Sequence, residues 1–201
     1  MTIDKKDLLN SILESLARID YIKPEDLPNI DLYMDQVTTF MDAQLSISKR
    51  YPEDKVLTKT MINNYAKNNL LPPPVKKKYS KEHLLALIFI YYFKNILSIG
   101  DIQAILNPIT DHYFASDSKL NLEDIYTEVF QLEESEIQNL QKDIAKKYHT
   151  SQQTFSNASE EEKEDLQHFA FICMLSFDVY LKKQLIEKLI DAKNEQHEKN
   201  E

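Results

Sequence analysis

Apolar residues recur every three or four positions along most of the chain, which predicts an almost entirely helical protein. The first apolar stripe consists of Leu8, Leu9, Ile12, Leu13, Leu16 and Ile19. A second stripe, within a helix predicted over residues 30–46, consists of Tyr33, Val37, Phe40, Met41 and Leu45. Pro24 and Pro28 separate the two stripes, and Pro52 follows the second. Because proline interrupts helices, these prolines are expected to end the predicted helices.

Helix start signals divide the rest of the chain. Capping residues precede the predicted segments: Thr58 before 59–68, Ser80 before 81–95, Ser98 with Asp101 before 99–106, Asn121 before 122–148, and Ser159 with Glu162 before a last helix reaching about Ala192. Pro108 is expected to end the third of these segments, and the fourth is one bent helix or two. The predicted fold class is all-α.

The short segment after Thr58 has two unlike sides. At about 100° per residue, one narrow arc holds Thr60, Asn63, Asn64 and Lys67, and Met61, Ile62, Tyr65 and Ala66 lie opposite. Side-chain amides pair with adenine in the major groove, and lysine donates to guanine or to phosphate. The pattern therefore indicates a helix that reads base edges. The alternative is an ordinary polar stripe facing solvent.

A stiff basic turn follows this helix. Asn69 tolerates a left-handed helix end, Leu70 and Leu71 return the chain to the core, and residues 72–74 are three prolines that restrict the exit. Next come Lys76, Lys77 and Lys78, named here the basic wing. This order predicts a recognition helix that reads the groove beside a wing that holds phosphate.

Charge is distributed unevenly along the chain. Residues 49–82 contain nine Lys or Arg and three acids, whereas the rest contains 15 basic and 30 acidic residues, for a net charge of −9. One basic segment in an acidic protein predicts a localised anion-binding face, although a solvated loop would have the same composition. A single glycine excludes glycine-rich phosphate-binding loops.

Compartment and chemistry are constrained by what the sequence lacks. Cys173 is the only cysteine and no secretory leader opens the sequence, so we expect a cytoplasmic protein. The apolar runs 84–93 and 169–181 are shorter than the about 20 residues that cross a bilayer, so no membrane partner is expected.

Catalytic and metal sites are not expected either. The five histidines, His83, His112, His149, His168 and His197, have no metal-ligand spacing, and Cys173 lies in an apolar run where a thiol is an inert small hydrophobe. Asp178 is either a buried functional carboxylate or, as favoured here, a residue on the polar side of its helix. We therefore expect no enzyme activity, no metal and no cofactor.

Residues 60–106 resemble the winged helix-turn-helix of MerR-type regulators. The resemblance is carried by Tyr65, Leu70-Leu71-Pro72, Lys77, Tyr79-Ser80, Ser98-Ile99, Asp101-Ile102 and Ile105-Leu106. More closely, LPNIDLYMDQVTTFMD and LTKTMINNYAKNNLLPPP resemble a bacterial family of unknown function, domain of unknown function 1836, with a predicted MerR-like domain. The resemblance implies double-stranded DNA as partner, and phosphate-contacting or phosphate-positioning roles for Tyr65 and Tyr79. Asn69 stands where that pattern usually has glycine, and the wing is shorter.

Three regions follow: an N-terminal amphipathic helix (1–26), a MerR-like winged helix-turn-helix (27–110) and a helical C-terminal domain for dimerisation or for a partner or effector (111–201). The last helix is so apolar that it must pack, either on helices 121–148 or on a second copy in a homodimer. We expect a bacterial sequence-specific DNA-binding transcriptional regulator. The alternative is a helical protein-interaction adaptor that retains the winged-helix shape without binding DNA.

Overall fold

The structure is a computed structural model that describes residues 9–11, 13–14, 21–115 and 119–198, without the side chains of 133–135, 197 and 198. The chain divides into two compact units: a larger one of Ile19–Gln131 with Ile190–Glu201, and a smaller one of Met1–Arg18 with Leu132–Leu189. Of the first predicted stripe, Leu9 and Leu13 are helical, and Leu8, Ile12, Leu16 and Ile19 lie outside the described residues.

Helices dominate the described residues, which confirms an all-α fold class at this level. In chain order the elements are β1 (Leu32–Tyr33), α1 (Met34–Gln44), α2 (Lys59–Lys67), β2 (Lys78–Tyr79), α3 (Lys81–Phe93), α4 (Ile99–Tyr113), α5 (Leu122–Ser151) and α6 (Glu160–Glu198). Short 3-10 turns occupy Pro24–Asp26 and Ser46–Ser48. The segment predicted as one bent helix or two is the single helix α5.

Two predicted boundaries were wrong. Residues 30–33 do not begin α1: Leu32 and Tyr33 form a strand with β2, and Tyr33 is the residue before the helix. Pro108 does not end α4, which continues to Tyr113. Proline removes one backbone donor from the helix. The turn around it is supported by Thr110, whose hydroxyl donates to the carbonyl oxygens of Leu106 (3.3 Å) and Asn107 (3.1 Å).

The core of the larger unit is built around α3. Its residues from His83 to Tyr91 are all buried, as expected of a helix that is apolar on every side. Phe89 meets Tyr126 and Phe130 of α5 at ring distances of 5.5 Å, and the Tyr126 hydroxyl donates to the carbonyl of Ile22 at 2.6 Å. These contacts lie within the larger unit, whose first segment ends at Gln131.

The smaller unit pairs the second half of α5 with most of α6. Tyr148 of α5 and Phe171 of α6 meet edge to face at 5.4 Å. The buried Gln167 side chain donates to the carbonyls of Gln152 (2.8 Å) and Thr154 (3.1 Å), which fixes the connector between the helices. At the start of α6 the Ser159 hydroxyl accepts the backbone N–H of Glu162 at 3.4 Å and donates to the Glu162 carboxylate at 2.6 Å, so Ser159 caps the helix as predicted.

Candidate nucleic-acid interface

Helix α2 begins and ends as its sequence predicts. The Thr58 hydroxyl accepts the backbone N–H of Met61 at 3.2 Å, which caps the first turn. At the other end Asn69 has a φ of 55°, and the N–H groups of Leu70 and Leu71 both donate to the carbonyl of Tyr65, at 2.9 and 3.2 Å. The Gln103 amide of α4 donates to the Asn68 carbonyl. Both ends of this nine-residue helix are therefore fixed.

The two sides of α2 differ as expected from the helical spacing. Thr60, Asn63, Asn64 and Lys67 are all exposed. On the opposite side Ile62 and Tyr65 are buried, and Met61 and Ala66 are partly buried. The exposed set, named here the polar face of α2, offers amide donors and acceptors, a hydroxyl and an ammonium group to a partner.

The basic wing is part of a two-residue hairpin. Val75 and Lys78 exchange both backbone hydrogen bonds, at 3.1 and 2.9 Å, and the two residues between them, Lys76 and Lys77, have φ values of 50° and 64°. Turns of this kind favour Asn-Gly, because residues other than Gly, Asn and Asp are strained at positive φ. Lys76 and Lys77 are exposed at the tip of the hairpin, and their positive φ values strain the backbone there.

Strand β1 pairs with β2, the strand that begins at Lys78 of the basic wing. β1 and β2 are antiparallel, with Leu32 opposite Tyr79 and Tyr33 opposite Lys78. The Lys78 ammonium lies 5.4 Å from the centre of the Tyr33 ring, which is 54% exposed. Tyr33 was not predicted as a surface residue, because its spacing from Val37 and Met41 places it on the apolar stripe of a helix. A two-residue strand gives too little alternation to correct that assignment.

Tyr65 and Tyr79 are buried, with 7% and 3% of their surfaces exposed. Burial raises the pKa of both phenols. Tyr65 anchors the inner side of α2, and the Tyr79 ring packs edge to face on His83 at 5.4 Å. Of the two roles that the resemblance implies, positioning fits this burial better than direct contact with phosphate.

His83 joins the wing to the exit of α2. Its Nδ1 accepts the Ser80 backbone N–H at 2.9 Å, and its Nε2 lies 3.4 Å from the Pro73 carbonyl oxygen. The ring also packs against Phe114 at 4.8 Å. Burial lowers the pKa of His83, against the opposing effects of the Pro73 carbonyl and Glu82. A neutral imidazole satisfies both hydrogen bonds, since only the neutral ring leaves Nδ1 free to accept.

The basic segment separates into paired and unpaired lysines. Three are neutralised by carboxylates: Lys49 by Asp42 at 2.8 Å, Lys59 by Asp35, and Lys81 by Glu123 at 2.9 Å. The hydrogen bond from Lys49 lowers the pKa of Asp42. By contrast, within the part of the chain that the structure describes, Lys67, Lys76 and Lys77 make no ion pair. These three lysines lie on the polar face of α2 and in the basic wing, and Arg50 and Lys55, elsewhere in the segment, also make no ion pair with a described residue.

Two other residues with candidate chemistry, Cys173 and Asp178, lie on α6. No group of three potential metal ligands occurs in the described ranges. Asp178 is half-buried and pairs with Lys147 at 2.6 Å. Cys173, expected to be a small hydrophobe in an apolar run, is exposed. None of the described helices is both long enough and apolar enough to cross a membrane.

The family comparison covers almost the same residues as the larger compact unit. Residues 22–130 match the sequence model of a family described as a domain of unknown function, DUF1836. No curated protein and no solved structure matches the chain. Since the family match spans more than half of the 201 residues, the protein belongs to the DUF1836 family.

Proposed function

We propose that the larger unit binds double-stranded DNA as a MerR-like winged helix-turn-helix, and that the protein is a bacterial, cytoplasmic, sequence-specific transcriptional regulator. The observation that carries the proposal is the placement of unpaired lysines. Lys49, Lys59 and Lys81 of the basic segment have carboxylate partners, whereas Lys67, on the polar face of α2, and Lys76 and Lys77, in the basic wing, have none among the described residues. A polyanion supplies the missing counter-charge.

The proposed roles follow from exposure and chemistry. Thr60, Asn63, Asn64 and Lys67 face base edges in the major groove, where amides and ammonium groups distinguish one base pair from another. Lys76, Lys77 and Lys78 hold phosphate, which fixes the register of α2 without reading sequence. Tyr65 and Tyr79 position α2 and β2 from within the core.

A second candidate is a protein-interaction adaptor of the same shape. The net charge of −9 favours it, because most of the surface repels DNA, and the wing is only a two-residue turn. In that case the lysines would meet an acidic protein. DNA titration separates the two proposals.

The decisive experiment is fluorescence-anisotropy titration of the purified chain against a duplex from its own promoter and a random duplex, at two salt concentrations. We expect tighter, saturable binding to the promoter. If four to six phosphates are neutralised, log affinity falls against log salt with a slope of about −4 to −5. Absence of binding to both duplexes at low salt and tens of micromolar protein would reject DNA as the partner and favour the adaptor.

A further inference from the structure

Helix α6 has an exposed apolar side opposite the side that packs on α5. At about 100° per residue, an arc of about 120° holds Leu166, Phe169, Cys173, Phe177, Tyr180 and Leu181, named here the outer apolar face. All six are exposed, with Phe169 at 64%, Phe177 at 60% and Tyr180 at 56%. The residues that pack on α5, Phe171 and Asp178, lie on another part of the helix surface. No charged residue between 166 and 181 falls within this arc.

The area of the outer apolar face is that of an interface. With about 150–250 Å² for each large side chain, the exposed fractions leave on the order of 600 Å². That value is at the upper end of the largest patch found on typical monomers, roughly 300–600 Å². It approaches the roughly 800 Å² that each partner buries in a stable complex. Among the described residues, packing on α5 therefore leaves this side of α6 exposed.

Charge at the two ends of this face identifies the partner. The N-terminal end, residues 160–165, has five acids and one lysine, and the C-terminal end, residues 182–193, has four lysines and two acids. A second α6 lying antiparallel brings each acidic end beside the other's basic end. A parallel copy would bring like charges together.

The spacing along α6 has the same symmetry. Three pairs of matched residues have midpoints within one residue of each other: Phe169 and Phe177 centre on 173, Leu166 and Leu181 between 173 and 174, and Asp165 and Lys183 on 174. Asp165 and Lys183 also lie on the same flank of the helix, so a two-fold axis near Cys173 places them opposite each other. A surface that is complementary to itself in this way is what a two-fold interface requires.

We propose that the outer apolar face binds a second copy of this chain, with the two α6 helices antiparallel about a two-fold axis near Cys173. The inference is independent of DNA binding. The sequence left packing on α5 and homodimerisation as alternatives. In this proposal both occur: the inner side of α6 packs on α5, and the outer apolar face forms the homodimer interface.

The first test measures association of the full chain by sedimentation velocity between about 1 and 100 μM. We expect a dimer, and Phe177→Glu should raise its dissociation constant at least about 100-fold, because each copy places one central aromatic ring in the interface. Val179→Glu is the matched control: Val179 is 59% exposed on the same helix but lies outside the arc, so the dimer should persist. Circular dichroism and melting of both variants verify that they fold.

The single cysteine provides the second test. A short bis-maleimide should join two wild-type chains through Cys173, and fail with Cys173→Ser or Phe177→Glu. Orientation is read in a Cys173→Ser background by mixing chains that carry Asp165→Cys with chains that carry Lys183→Cys. Antiparallel pairing predicts the mixed cross-link, whereas a product joining two Asp165→Cys chains would contradict it. A wild-type monomer at 100 μM, or a dimer unaffected by Phe177→Glu, would overturn the proposal.

Discussion

Helices α2 and α6 both bury one side, but their exposed sides are chemically opposite. On α2 the buried residues are Ile62 and Tyr65, and a threonine, two asparagines and a lysine remain outside. On α6 one side packs through Phe171, yet the opposite side still exposes the rings of Phe169 and Phe177. A helix that leaves polar groups outside is stable in water as it stands. A helix that leaves aromatic rings outside gains free energy by binding another apolar surface.

The two exposed surfaces should therefore respond to different variables. Binding at the polar face of α2 and the basic wing depends on salt, because it exchanges counterions for lysines. Binding at the outer apolar face of α6 depends on protein concentration and changes little with salt, except through its charged ends. Substitutions that affect one surface and not the other would sharpen this division.

The largest expected effect is the loss of the basic wing. Replacing Lys76, Lys77 and Lys78 with alanine removes three proposed phosphate contacts, which should weaken DNA binding by about 100-fold or more near 0.1 M salt and flatten the salt slope by about 2 to 3. Anisotropy titration measures both values, and sedimentation should show unchanged self-association.

A charge-matched variant controls for net charge in that experiment. Lys119, Lys142 and Lys146 are exposed lysines outside the basic segment and outside the proposed α6 interface, and replacing them with alanine changes the charge equally. We expect only a small loss of affinity in this control. If both triple variants lose affinity equally, binding depends on overall charge and the wing has no special role.

Within the DNA-binding surface, the helix and the wing should differ in kind. Asn64→Ala should weaken binding to the promoter duplex by roughly 5- to 100-fold and leave the random duplex nearly unchanged, because a base contact is lost. Lys77→Ala should weaken binding to both duplexes by a similar factor, because a phosphate contact carries no sequence information. Equal behaviour of the two variants would contradict the division of labour between helix and wing.

Acid should weaken the contacts through which His83 joins the basic wing to the exit of α2. The folded-state pKa of His83 is lowered by burial, so as the pH falls through about 6.5 the unfolded chain binds a proton before the folded one does. The contribution of His83 to the free energy of unfolding is therefore fully present above pH 6.5 and declines as the pH falls toward the folded-state pKa. Urea unfolding followed by circular dichroism at pH 7.5 and 5.5 measures it.

His83→Asn isolates that contribution from the other titrating groups. The asparagine oxygen can replace Nδ1 as the acceptor for the Ser80 N–H, but it does not titrate. The change in urea midpoint between the two pH values should be smaller in the variant than in the wild type. An identical change in both would show that His83 is not the group responsible.

The smallest expected effect separates stability from binding in the wing. Replacing Lys76 with asparagine and Lys77 with glycine suits the positive φ values of the turn, so the free energy of unfolding should rise by roughly 0.5–1 kcal/mol. DNA affinity should fall at the same time, because two of the wing's ammonium groups are lost. A stabilised variant with undiminished DNA binding would show that the strained lysines have no role in the interface.

Elements defined by local signals were predictable from sequence. Thr58, Ser80, Ser98 and Ser159 each mark a helix start, because capping depends only on residues within one turn. The polar face of α2 was predictable for a similar reason, since helical spacing alone determines which residues share a side. Pairing between β1 and β2 was not predictable, because it joins residues far apart in the chain through strands of two residues each.

The ion pairs and the exposure of α6 needed the structure. Nothing in the sequence distinguishes Lys49, which pairs with Asp42, from Lys76, which makes no ion pair with a described residue. Likewise, the continuous apolar run of 169–181 indicates burial but not which side is covered. Both depend on distances between residues that are remote in sequence or on different helices.

The scarcity of glycine affects the unfolded chain as well as the folded one. With 1 glycine in 201 residues, the unfolded ensemble has fewer backbone conformations to lose on folding than that of a chain with ordinary glycine content. Among the described residues, left-handed corners are instead occupied by Asn69, Lys76, Lys77, Ala115 and Phe155. Glycine at any of these corners would relieve local strain but also enlarge the unfolded ensemble. The two effects oppose each other, so a protein of this kind can form its sharp corners with almost no glycine at a modest net cost in stability.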